Sequence, residues 1–191
     1  PRATPIPSDT TTPTPAPAVG PPGSSALGVH GTNGRGVGES LQPLQPLQPL
    51  IDRQHRTIDY LRVSVTDRCN YRCTYCLPEE GVIHAERADI LTFEEIARLV
   101  ACFTRLGVRR VRLTGGEPTV RRDLPTLVAL LRRNPQVQDL ALSTNAHLLA
   151  GLASPLRRAG VDRLHISLDT LDSERFRQIT RGGDLSRGLA G

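Results

Sequence analysis

YLRVSVTDRCNYRCTYC, residues 60–76, joins two patterns. From Tyr60 to Thr66 the side chains alternate with the period of two that marks a strand. Three of the chain's four cysteines then fall close together, Cys69, Cys73 and Cys76, spaced C-x3-C-x2-C. The thiols therefore sit in a loop at the C-terminal end of a strand. In sheets and barrels built from βα units, that is where ligands bind. Three cysteines cannot pair fully, so the loop suits a metal or an iron–sulfur cluster better than a disulfide.

Working outward, the strand-then-helix texture repeats. Thr92 and Glu95 have capping-box spacing ahead of Phe93, Ile96, Ala97, Val100, Phe103 and Leu106, which recur at helical spacing up to a stop at Gly107. Cys102 falls inside this helix and reads as a buried small hydrophobe. A second strand, Val111–Thr114, runs into Gly115-Gly116-Glu117-Pro118. Asp123 or Leu124 opens the next helix, whose apolar face is Leu124, Leu127, Val128 and Leu131. A third strand starts at Asp139 and ends at Thr144-Asn145, and a weaker helix over 147–159 stops at Gly160. A fourth strand spans Arg163–Leu168, and Asp172 caps a last helix bearing Phe176 and Ile179. The order βαβαβαβα with short connections is that of a parallel α/β fold. Pattern alone does not separate an open doubly wound sheet from part of a barrel, and four strands do not close a barrel. The chain stops at Gly191 without an obvious terminating element, so the sequence is expected to be C-terminally incomplete.

Residues 1–50 are different material. They hold 11 of the 16 prolines and 7 of the 17 glycines, and are read as a disordered Pro/Gly-rich tail ahead of a domain over 51–191. Leu41–Leu50 reads LQPLQPLQPL, for which a plain linker is the simpler reading than a recognition segment. Net charge is +5 and every basic residue is arginine. A solvated surface accounts for that excess; the sharper reading is an anionic substrate, which arginine holds bidentately. Aromatic residues are only 3% of the chain, too few to stack single-stranded nucleic acid, so no nucleic-acid partner is expected. No apolar run approaches a membrane span and no signal peptide is apparent, so a cytoplasmic, reducing location is expected, which suits free thiols.

Three thiolates can hold three irons of a [4Fe–4S] cluster and leave one iron open to a chelating molecule. The competing metal reading is zinc with His84 as fourth ligand, but it lacks the paired second half of a zinc motif.

C-x3-C-x2-C after a first strand, with Tyr75 just before the third cysteine, resembles the radical S-adenosylmethionine (SAM) superfamily. Gly115-Gly116-Glu117-Pro118 after the second strand looks like that superfamily's second motif. Within it, residues 61–78, 112–123 and 167–172 are similar to the GTP 3′,8-cyclase family, and the resemblance covers about residues 52–191. It implies four βα units of a partial (βα)6 barrel. It also implies a [4Fe–4S] cluster on Cys69, Cys73 and Cys76, and SAM contacts from Tyr75, Gly116 and Ser167. Arg62, Arg112 and Ser143 would face GTP. The implied reaction is radical cyclisation of GTP to (8S)-3′,8-cyclo-7,8-dihydroguanosine 5′-triphosphate, the first step of molybdenum cofactor synthesis. Partners implied are a flavodoxin or ferredoxin as electron donor, cyclic pyranopterin monophosphate synthase downstream, and a second copy of the chain in a homodimer. Other readings are a different radical SAM enzyme, such as a peptide-modifying one, or a non-catalytic iron–sulfur or zinc protein. Two departures stand out. Ala146 occupies a position where the family has glycine, at a cost of about 1–2 kcal/mol if φ is positive there. The family's second cluster needs three further cysteines, and only Cys102 lies outside the first loop, so little turnover is expected of these 191 residues.

Overall fold

The computed structural model describes residues 47–191. Among them are four parallel strands, β1 (Tyr60–Ser64), β2 (Arg110–Thr114), β3 (Asp139–Thr144) and β4 (Arg163–Ile166), laid side by side in chain order. Each is followed by helix: α1 (Phe93–Arg105), α2 (Leu124–Arg132), α3 (Leu149–Ala159) and α4 (Ser173–Thr180), with a further short helix α5 (Leu185–Ala190). This is the α/β order the sequence implies. The proposed tail over 1–46 lies outside the described residues. Leu47–Leu50, counted with the tail on composition, belong to the body: the Leu50 amide donates to Leu106 O at the end of α1, and Leu50 O accepts from Ile58 N.

Alternation along the strands divides the sheet's two faces. Val111, Leu113, Leu140 and Leu142 are buried against α1–α3, where they meet Ile96, Val100, Leu127, Val128, Leu131 and Leu156. Thr92 caps α1 as a full capping box, its side chain accepting from Glu95 N at 3.2 Å while Glu95 accepts from Thr92 N at 2.8 Å. Cys102 is a correction: it is exposed. The buried face of α1 is Ile96, Val100 and Thr104, and a residue two places past Val100 sits about 200° around the helix, facing water. Helix α5 follows the helix that the sequence marks as the last; Asp184 caps it, accepting from Ser186 N at 2.9 Å. β4 is an edge, and Leu164 and Ile166 are 41% and 46% exposed on it.

Candidate functional site

The strand ends on the C-terminal side of the sheet are joined mainly through backbone. The amide of Gly116 donates to Thr66 O and that of Glu117 to Arg68 O, both at 2.8 Å, so the loop after β2 runs directly along the loop after β1. The glycine pair follows from this. Gly115 has φ +154°, and a Cβ on either glycine would lie 2.4 Å from a carbonyl oxygen, that of Thr66 for Gly115 and that of Arg68 for Gly116. The close approach that Gly116 allows is thus to the cysteine loop itself.

Glu117 extends the joint to β3. Its side chain is buried, 2% exposed, and its carboxylate accepts four hydrogen bonds. Thr119 N and Thr119 Oγ1 donate at 3.0 and 2.5 Å, Thr144 Oγ1 at 2.7 Å and Asn145 N at 2.8 Å. Asn145 Nδ2 then donates to Asn70 Oδ1 at 2.9 Å, back in the cysteine loop. Ser167 N donates to Thr144 O at 2.9 Å and brings in the end of β4. Glu117, Thr144 and Asn145 were not assigned to the site from sequence. The usable signal was their place directly after a strand, Glu117 within the Gly-Gly-Glu-Pro motif.

A cavity of about 280 Å³ opens in the middle of these joined ends. Eight of the nine residues singled out from sequence line it: Cys69, Cys73, Cys76, Tyr75, Gly116, Ser167, Arg62 and Ser143. Arg112 is the ninth and lies outside the lining. It is paired in register with Arg62, but its guanidinium stacks over Tyr60, 5.4 Å from the ring centre, and contacts His165 Nε2 at 2.5 Å.

Burial pushes the thiols of Cys69 and Cys73 above the ordinary cysteine value. At neutral pH the free loop is therefore a protonated dithiol that must release protons to take a metal. Tyr75 is 67% exposed, and its hydroxyl donates to the Asp169 carboxylate at 3.0 Å. Desolvation and that carboxylate both raise its phenol pKa, so it stays neutral. Tyr71, between the first two cysteines, is buried, and desolvation pushes its phenol to about 12.

The donor set fits an iron–sulfur cluster. Three thiols line one cavity, while His84, the candidate zinc ligand, is turned to Asp67 at 3.2 Å. Among the described residues no three His, Cys, Asp or Glu side chains converge on one point, as a single bound ion requires. A [4Fe–4S] cluster takes each thiolate on a different iron and needs no such convergence. Ala146 has φ +62° and is buried, so alanine stands in a left-handed conformation at the turn after β3.

Residues 63–189 match the model of the Radical SAM superfamily. The chain is 49% identical over 138 residues to a GTP 3′,8-cyclase of Syntrophomonas wolfei, covering 72% of this chain and 42% of the relative. It is 50% identical over 144 residues to a GTP 3′,8-cyclase of Hydrogenovibrio crunogenus, covering 74% of this chain and 43% of the relative. The chain thus spans less than half the length of these curated relatives. Among solved structures, Streptococcus suis SuiB bound to S-adenosylmethionine superposes with a TM-score of 0.52 at 21% identity, over 69% of this chain and 28% of that one; this likeness is one of fold.

Proposed function

Because this chain belongs to the radical SAM superfamily, we propose that it acts in the GTP 3′,8-cyclase reaction, a lyase step that converts GTP to (8S)-3′,8-cyclo-7,8-dihydroguanosine 5′-triphosphate in molybdenum cofactor synthesis. The observation that carries this reading is the near 50% identity to GTP 3′,8-cyclases, over a span that includes the cysteine loop. When bound, a [4Fe–4S] cluster and SAM supply a 5′-deoxyadenosyl radical, the difficult chemistry that the polypeptide cannot provide.

The chain's own residues have the remaining tasks. Cys69, Cys73 and Cys76 would hold three irons as thiolates, Cys69 and Cys73 after losing protons that burial makes them retain when free. Tyr75, Gly116 and Ser167, all on the cavity wall, would lie against SAM. The neutral Tyr75 hydroxyl, anchored to Asp169, fixes that ring at the cavity mouth. Arg62 and Ser143 line the same cavity from β1 and β3, where a guanidinium fork and a hydroxyl suit phosphate and purine acceptors. Arg112 serves the substrate from beside them, with His165 as its hydrogen-bond partner. A flavodoxin or ferredoxin supplies the electron, cyclic pyranopterin monophosphate synthase takes the product, and the setting is cytoplasmic. A homodimer is the assembly proposed.

The test is anaerobic reconstitution of the 191-residue chain with iron and sulfide, followed by dithionite, SAM and GTP. Cluster absorbance and release of 5′-deoxyadenosine are expected, both lost in a Cys69/Cys73/Cys76→Ala triple variant. Equal absorbance in that variant would sink the cluster assignment. SAM cleavage that is indifferent to GTP but yields a modified peptide would replace the substrate.

A further inference from the structure

A second, small apolar cluster lies directly beneath the cysteine loop. Tyr71, Phe176 and Leu185 are its buried members, and Cys69 and Cys73 pack on it. Tyr71 meets Phe176 edge-on, with ring centres 5.9 Å apart, and its own amide donates to Cys69 Sγ at 3.4 Å. The loop backbone is also fastened to the end of α4. Arg72 N donates to Thr180 O and Thr74 N to Ile179 O, at 3.2 and 2.9 Å, while Arg181 Nη1 donates to the carbonyls of Arg72 and Leu77.

One polar chain runs through this packing. Tyr71 Oη is 2.9 Å from His147 Nδ1, and His147 Nε2 is 3.0 Å from Arg187 Nη1 on α5. Arginine can only donate, so Nε2 of His147 accepts; the imidazole proton then sits on Nδ1 and is donated to Tyr71 Oη. His147 is itself fixed, its amide donating to Asn145 Oδ1 at 3.0 Å, and Asn145 is the residue tied to Glu117 and Asn70. The phenol ring between Cys69 and Cys73 is thus held from three sides: by Phe176, by the end of β3 and by α5.

We propose that Tyr71 is the positioning residue of the cysteine loop, holding Cys69 and Cys73 in ligand-bearing order through its contacts with Phe176, His147 and Arg187. The proposal rests on the reading of that loop as a cluster site. Tyr71 itself is no ligand. Its ring fills the space under the loop, and its hydroxyl fixes the ring's rotation, so the two neighbouring thiols cannot turn independently. Outer contacts of this kind orient ligands and tune the bound group.

The test compares wild type with Tyr71→Phe, which keeps the ring, and with Arg187→Gln, an exposed position whose change leaves the core intact. Val100→Ala, a core change in α1, controls for lost stability alone. In the metal-free chain, amide exchange over residues 70–77 should rise about fivefold to tenfold in Tyr71→Phe and Arg187→Gln, the scale of one lost hydrogen bond, and stay unchanged in Val100→Ala. In the reconstituted chain, Tyr71→Phe should lose iron to a chelator faster by a similar factor and shift the electron paramagnetic resonance of the reduced cluster. Unchanged exchange in both variants, or the same rise in Val100→Ala, overturns the proposal. So does faster exchange with chelator loss and resonance unaltered, which would confine the Tyr71 hydroxyl to ordering the loop backbone without bearing on its thiols. If wild type takes up no iron, the cluster reading falls, while the exchange comparison still decides whether Tyr71 and Arg187 hold the loop.

Discussion

Ala146 shows how one side chain carries two opposing effects. Its φ of +62° is a conformation L-residues avoid at about 1–2 kcal/mol, and its methyl is buried in the core. Ala146→Gly relieves the first and removes the second, worth about 0.8 kcal/mol, so the net gain in unfolding free energy should stay below about 1 kcal/mol. Denaturant titration checks the sign; a loss above 1 kcal/mol would mean the methyl matters more than the backbone. Glu117 is the opposite case, a buried polar group whose carboxylate accepts four hydrogen bonds. In Glu117→Gln, oxygen can replace Oε1 for the two threonines, but the amide nitrogen then faces the Asn145 amide, donor against donor. The expected cost is about 1–3 kcal/mol, read as a lower denaturation midpoint. The sequence made Gly116 conspicuous and left Glu117 without a role, because a motif displays residue types while two of the four hydrogen bonds to Glu117, those that tie it to β3, come from positions 144 and 145, a strand and a helix away.

At the scale of elements, local signals were legible and distant ones were not. The capping box at Thr92 and Glu95, the stop at Gly160 and the Asp172 cap are all decided within four residues, and all three form as their spacing implies. Thr92→Ala should therefore cost about 1 kcal/mol, seen as a melting temperature lower by about 4 °C. No change would mean Glu95 alone satisfies the helix start. Asp123 shows the limit of such signals. It precedes α2 as a capping residue would, yet its φ is +58° and its side chain makes no cap. α5 went unread for a different reason. It is six residues long, and Leu185 is buried by partners in α4 and the cysteine loop rather than by a periodic face of its own.

For the whole molecule, the metal-free protein has a defined alkaline weakness. Cys69, Cys73 and Tyr71 all have folded-state values raised by burial, Tyr71 to about 12. Unfolded thiols and phenols ionise near about 8.5 and 10. A raised value means the folded chain binds more protons in this range. The stability these groups contribute is thus complete below about pH 8.5 and lost as pH rises toward 12. Unfolding free energies measured from pH 7 to 11 should decline over that window, and a flat profile would contradict the burial described. Reconstitution should remove the thiol share of the decline, since ligated cysteines carry no proton to lose. The parallel sheet and the clustering of eight assigned residues were legible in the sequence, because strand ends in a βα repeat share one side. Arg112 was placed only by the structure, since its stacking on Tyr60 depends on a neighbouring strand.

The two glycines after β2 have a consequence beyond their own fit. The contacts they permit are made by the carbonyls of Thr66 and Arg68, so at the glycines themselves the seam between the first two loops is written in main-chain atoms. The Arg68 side chain is exposed and takes no part in that seam. Shape and charge are thereby separable at the entrance to the cysteine loop. The side chain at position 68 can change sign without moving the joint, leaving the local electric field, and with it the redox behaviour of whatever the thiols hold, free to drift or be redesigned on a fixed frame.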